Sequence, residues 1–248
     1  MDVVDLREYY ANSLGKATQR IIAAKLAAHM PSDPHASILG LGYATPYFNK
    51  TEDLAPRQLA FMMARRGVIH WPESGPVASA LVDELDLPLS DNAVDVALLI
   101  HSMEFTDSPE ELLEEIWRVL TPQGKLLLVV PNRSSLWAMM DVSPFGHGQP
   151  FSRSQLQGLL RAAQFSISSI EYALAMPPSL KLAGSRLAHM VEKLGGYSLR
   201  GLSGVLIVEA QKQVYAYAPG RKIRRSLPRF KPAFLPAPQH SHKANENS

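Results

Sequence analysis

Two apolar runs limit what this chain can fold into more than any other feature. Val94-Asp95-Val96-Ala97-Leu98-Leu99-Ile100 and Lys125-Leu126-Leu127-Leu128-Val129-Val130 are too apolar for strands with one wet face and suit strands covered on both sides. Between them Ser108 stands at an N-cap position with Glu111 three residues on, and Pro109 takes the first helical position. Leu112, Leu113, Ile116, Val119 and Leu120 form one buried stripe, and Thr121-Pro122-Gln123-Gly124 stops the helix. A buried strand, a helix and a second buried strand make a crossover unit, which places the two strands parallel in one sheet.

The rest of the chain extends this rhythm. Periodicity predicts a helix over 5–30, ended by Pro31 and Pro34, and a first strand over 37–42 that enters a Gly-containing turn. Residues 56–66 have helical composition, and 67–71 and 78–82 read as the second and third strands. Helices over 154–163 and 180–194 alternate with strands over 165–173 and 205–210. The fold class expected is α/β, a doubly wound, mainly parallel sheet with helices on both faces.

With 248 residues, 46% of them hydrophobic, the chain supports one large domain. The expected division is an N-terminal helical segment over 1–36, a main domain over 37–215 and a tail over 216–248. That tail is basic and Pro-rich, with Arg221, Lys222, Arg224, Arg225, Arg229 and Lys231 preceding any acid, and reads as disordered. The absence of cysteine excludes disulfides and cysteine-ligated zinc. No metal site is expected. No run approaches the ~18 apolar residues of a membrane span, and the acidic start Met1-Asp2-Val3-Val4-Asp5 does not resemble a signal segment, so a cytoplasmic location is expected.

In an open parallel sheet, ligands bind beyond the carboxyl ends of the strands where the strand order reverses. The loop after the first strand is Gly40-Leu41-Gly42-Tyr43-Ala44-Thr45-Pro46, whose small residues permit a nucleotide-like ligand and equally permit a plain strand-to-helix turn. Segments further along the chain give the loop its weight. Asp83-Glu84-Leu85-Asp86-Leu87-Pro88-Leu89-Ser90-Asp91-Asn92-Ala93-Val94-Asp95-Val96, then His101-Ser102-Met103-Glu104-Phe105, Trp117-Arg118-Val119-Leu120-Thr121-Pro122-Gln123-Gly124 and Pro131-Asn132-Arg133 stand in an order that resembles class I S-adenosylmethionine-dependent methyltransferases, including the small-molecule group acting on quinone precursors.

That resemblance, over roughly residues 37–172, implies a Rossmann-like methyltransferase fold with S-adenosylmethionine as cofactor. It places Gly40, Gly42, Tyr43 and Ala44 in the glycine-rich loop, Asp83 and its neighbour Glu84 beside the adenine, and His101 near the cofactor. A carboxylate at Asp83 would accept from the exocyclic amine, its alternative being a turn or cap carboxylate. His101 reads equally as a hydrogen-bonded shoulder residue. The departures are specific. Gly40 stands where the family carries an acid, Ala44 and Pro46 replace glycines, and Phe105 stands where a histidine is frequent. The acid expected after the second strand is absent from His70-Trp71-Pro72 unless Glu73 serves.

His147, in Pro144-Phe145-Gly146-His147-Gly148-Gln149-Pro150, is the general-base candidate, the alternative being a helix-capping loop histidine. Trp137, Met139 and Met140 read as acceptor lining or as core. The expected function is methyl transfer to a small-molecule or lipid-like acceptor, and the alternative is an inactive, methyltransferase-like binding or regulatory protein. Nucleic acid is a further partner only through the basic tail.

Overall fold

The computed structural model describes residues 1–48, 57–178 and 200–214. The chain divides into two units, Met1–Tyr215 and Ala216–Ser248. The second unit, and with it the tail, lies outside the described residues, as does the helix expected over 180–194.

Seven strands form one sheet: β1 (Ile38–Gly42), β2 (Gln58–Met63), β3 (Ser79–Val82), β4 (Val94–Ile100), β5 (Leu120–Pro131), β6 (Phe165–Ala173) and β7 (Val205–Lys212). Their order is β3-β2-β1-β4-β5-β7-β6. β1 through β5 pair in parallel, and β7 runs antiparallel to both β5 and β6. Helices α1 (Val3–Ala11) and α2 (Ser13–Leu26) share one core cluster with one face of the sheet, while α3 (Pro109–Val119) and α4 (Arg153–Ala162) share another cluster with the opposite face. The architecture is therefore doubly wound α/β.

The two apolar runs became β4 and β5 because both of their faces are covered. Asp95, the one charge in the first run, is accounted for by Ser37, whose backbone N–H and hydroxyl donate to it at 2.9 and 2.8 Å, and by the Thr121 hydroxyl. Burial works against its ionisation, but these donors hold the carboxyl below its ordinary value. Helix α3 starts at Pro109 as expected, although the Ser108 side chain makes no cap bond. Its end is abrupt: Leu120 is already extended, so Thr121-Pro122-Gln123-Gly124 lies in β5 instead of separating helix from strand. Helix α4 begins with a capping box formed by Ser152 and Gln155.

Three expectations are corrected. The helix over 5–30 is two helices, since Asn12 is extended (φ −80°, ψ 171°), ends α1, and accepts from Gly15 N–H at 2.8 Å to cap α2. Gly15 is required there, because a Cβ would lie 1.9 Å from the Tyr9 carbonyl oxygen. Residues 58–63 form a strand instead of a helix, held between β1 and β3. Residues 67–71 are not a strand; that segment is tied back through Ser79, whose hydroxyl donates to the Ile69 carbonyl and accepts from Trp71 N–H. Among the described residues no helix is long and apolar enough to cross a membrane.

Candidate active site

The strand order reverses between β1 and β4, so the crevice beyond their carboxyl ends is the place a ligand would enter. Gly42 closes β1 with φ +89°, and a Cβ there would lie 2.2 Å from the Ile100 carbonyl oxygen. That oxygen accepts from Tyr43 N–H at 2.8 Å. Glycine thus lets the loop cross the end of β4. A Cβ on Gly40 would meet the Phe48 ring at 2.5 Å and Ala44 Cβ at 2.6 Å, so the chain's own side chains take that space.

At the end of β4, His101 adopts a left-handed backbone (φ +55°), a conformation histidine tolerates better than most residues. Its imidazole is fully buried and bonded at both nitrogens: Nδ1 lies 3.2 Å from Glu104 Oε1, and Nε2 lies 2.9 Å from the Tyr10 hydroxyl. Tyr10 lies 2.9 Å from the Tyr47 hydroxyl and stacks on the Tyr43 ring. Burial pushes the Tyr10 and Tyr47 phenols up, so both keep their protons. A carboxylate only accepts, so an ionised Glu104 requires the His101 proton on Nδ1 and leaves Nε2 to accept from Tyr10. With the imidazole neutral, the direction runs from Tyr47 to Tyr10, from Tyr10 to His101 and from His101 to Glu104. Glu104 Oε2 and the Ser102 hydroxyl are buried without a hydrogen-bond partner.

Tyr10 belongs to α1, which lies over the crevice. Val3 and Leu6 of that helix join Gly42, Tyr43, Arg66 and His101 around a cavity of only about 10 Å³. That volume holds one water, whereas sites for drug-sized ligands run to several hundred Å³. Val3 N–H donates to the Arg66 carbonyl at 2.9 Å, the Arg66 guanidinium donates to the Met1 carbonyl, and the same guanidinium lies 3.8 Å over the Phe105 ring.

The expected site residues divide into three groups. Gly42, Tyr43 and His101 line one cavity, and Gly40 and Ala44 are buried in the adjoining β1 loop. Asp83 is exposed immediately after β3, its carboxylate accepting from Leu85 N–H at 3.0 Å, with Glu84 beside it half-buried. His147 is elsewhere: it lines an open groove of about 560 Å³ with Met1, Asp5, Glu8, Tyr9 and Asn12. It is not brought together with His101.

Trp137 is core, donating to the Met176 carbonyl at 2.7 Å, while Met139 and Met140 are exposed. Because β2 ends at Met63, the position after the second strand is Ala64-Arg65-Arg66 and carries no acid; Glu73 is exposed further along that connection. Sequence reasoning passed over the site roles of Tyr10, Tyr47, Glu104 and Arg66. Two phenols, Tyr9 and Tyr10, within an apolar stripe were the available signal for Tyr10, since a buried hydroxyl needs a partner. No group of histidine and acidic residues among the described residues is arranged to hold a metal.

Gly42 brings a close backbone turn to the crevice, and Asp83 stands exposed after β3, outside the lining of the cavity. With α1 seated, the space enclosed by the described residues does not fit S-adenosylmethionine.

Residues 52–128 match the family model described as a methyltransferase domain. No curated protein matches the chain. Among solved structures, a SAM-dependent methyltransferase from Thermotoga maritima is 16% identical with a TM-score of 0.56, covering 85% of this chain and 96% of that one. One from Archaeoglobus fulgidus is 17% identical with a TM-score of 0.57, covering 78% and 94%. The [4+2]-cyclase SpnF is 20% identical with a TM-score of 0.52, covering 81% and 84%. These likenesses establish the shared fold of S-adenosylmethionine-dependent methyltransferases, and the methyltransferase-domain match over residues 52–128 supports a place in that family, with S-adenosylmethionine as cofactor.

Proposed function

We propose that this protein is a methyltransferase of the cytoplasm that acts on a small-molecule or lipid-like acceptor, with α1 withdrawn from the crevice during the reaction. The observation that carries the reading is the position of Gly42, Tyr43 and His101 at the strand-order reversal between β1 and β4, within a chain whose residues 52–128 match a methyltransferase domain. Asp83 would accept from the adenine amine, with Glu84 beside it, and the backbone of Gly40, Gly42 and Ala44 would border the amino acid part of the cofactor. When bound, the cofactor supplies an already activated methyl group, so the protein's work is alignment and the exclusion of water. His101, oriented through Nδ1 by Glu104, presents Nε2 as a proton acceptor once Tyr10 leaves it. His147 lines a separate groove and is the weaker base on that ground.

A second reading is favoured by the filled crevice and the missing acid after β2: the fold serves binding, regulation or a different reaction. A shared fold does not fix the chemistry. Calorimetric titration with S-adenosylmethionine and S-adenosylhomocysteine separates the two. Saturable binding of both supports methyl transfer, and absence of binding by the folded protein supports the second reading.

A further inference from the structure

The geometry points to α1 as a plug built into the chain: it occupies the space the cofactor needs, and the two compete for the crevice. This rests on the methyl-transfer reading above.

One face of α1 packs into the crevice, and the opposite face is left to solvent. Val3, Leu6 and Tyr10 point inward and are nearly inaccessible, whereas Asp5 and Glu8 are exposed on the outward side. Lifting the helix would therefore expose few apolar side chains and would leave the other core cluster, under α3 and α4, intact.

The hinge and the anchor are separate. Asn12 is the only residue between the two helices, and its extended backbone lets α1 swing without unwinding α2. The far end of α2 is held by charge. His29 sits between Glu209, 2.5 Å from Nδ1, and Glu171, 2.9 Å from Nε2; Lys25 lies 3.2 Å from Glu171, and Lys125 lies 3.4 Å from Glu209. None of these groups belongs to α1.

The polar ties that hold α1 itself are few. They are Val3 N–H to the Arg66 carbonyl, the Arg66 guanidinium to the Met1 carbonyl, Tyr10 to His101 and Tyr47, and Tyr9 to Thr18 on α2. Water or a polar ligand replaces such bonds at little net cost, because each trades one hydrogen bond for another. The closed state also leaves Glu104 Oε2 and the Ser102 hydroxyl buried and unpartnered, and an admitted polar ligand or water would give them partners.

A reversible lock tests the idea. A Cβ on Gly67 would lie 3.3 Å from Val3 Cγ1, and the chain contains no cysteine, so V3C/G67C brings the only two thiols within disulfide range; because Gly67 has φ +84°, which strains any side chain there, folding of the reduced variant is checked by its melting curve. In the full-length protein, S-adenosylhomocysteine should bind the reduced form at least as tightly as it binds the natural protein and should fail to bind the oxidised form. Tyr10→Phe, which keeps the ring and removes the hydroxyl, should tighten binding about threefold to tenfold. Equal binding by oxidised and reduced forms, or no gain from Tyr10→Phe with folding intact, would overturn the plug while leaving methyl transfer standing. If the natural, reduced and Tyr10→Phe proteins all fail to bind, the methyl-transfer reading falls, and the plug falls with it.

Discussion

The two faces of the sheet are buried by different chemistry. The side chains that α3 and α4 bury completely are aliphatic: Leu112, Leu113, Ile116, Val119, Leu156 and Leu160 are all fully inaccessible. Under α1 and α2 the core carries four tyrosines, Tyr9, Tyr10, Tyr43 and Tyr47, beside the buried His101 and Glu104. Aliphatic burial has no direction and is lost only by exposing the whole surface to water. A hydrogen-bonded network holds in one geometry, and an incoming polar molecule can take over its bonds. The first face is scaffold, and the second is arranged so that it can open.

Equal truncations on the two faces test this most strongly. Ile116→Ala should cost about 2–5 kcal/mol in chemical denaturation, the usual effect of a cavity in a closed core. Leu6→Ala on α1 should cost clearly less, because a protein that can lift α1 loses no more than the free energy of seating that helix. Equal costs would show that both faces are scaffold.

On the aliphatic face, Arg118 of α3 pairs with both Asp91 and Glu115. Glu115 accepts from Leu87 N–H at 2.7 Å and from Arg118 at 2.6 and 2.8 Å. Burial pushes its carboxyl up, but these donors outweigh burial and hold it below the ordinary value of 4.5. A carboxyl whose folded value is depressed stabilises the protein above the unfolded value and loses that contribution as pH falls through the folded value. Glu115→Ala should therefore cost about 1–3 kcal/mol near neutrality, and the difference from the natural protein should shrink below pH 4.5. A difference that stays constant in urea titrations as the solution is acidified from neutrality would show that the ionised carboxylate does not stabilise the fold.

On the other face, Tyr10→Phe deletes a hydroxyl that bonds His101 and Tyr47 at 2.9 Å each. The loss should be only about 0.5–1.5 kcal/mol, since α1 can loosen and admit water to the stranded imidazole. Amide hydrogen exchange should speed up in α1 and not in α3. Faster exchange in both helices would mean that the network holds the whole domain together. The smallest effect belongs outside both cores. Asp83→Asn should change stability by less than about 0.5 kcal/mol, as exposed substitutions do, while weakening S-adenosylmethionine binding by about 1–3 kcal/mol. Unchanged affinity would remove Asp83 from the adenine site.

Much of the fold was legible because burial is written into composition. β4 is apolar on both faces, β6 has the bounds its residues suggest, and the stripe of α3 runs at helical spacing. Residues 58–63 misled for a physical reason: Gln58, Leu59, Ala60, Met62 and Met63 are all good helix formers, and only pairing with β1 and β3 makes them a strand. The break at Asn12 was hidden because the apolar stripe continues across it into α2, and a stripe records burial without recording a change of direction.

For the site, the residues alone pointed to the family resemblance and to the positions of the loop at Gly40, Gly42 and Ala44, of Asp83 after β3 and of the histidine ending β4, because each is tied to the end of a strand. The sequence could also say that Leu6 and Tyr10 share a buried face of a helix. Against what they are buried was decided by the tertiary structure, which turned α1 at Asn12 and laid it over the crevice between β1 and β4. Periodicity is a property of one segment, whereas occupancy of a crevice depends on two segments distant along the chain. The same reason separated His147 from His101: both lie beside elements that the residues announce, and only the placement of α1 assigns them to different cavities.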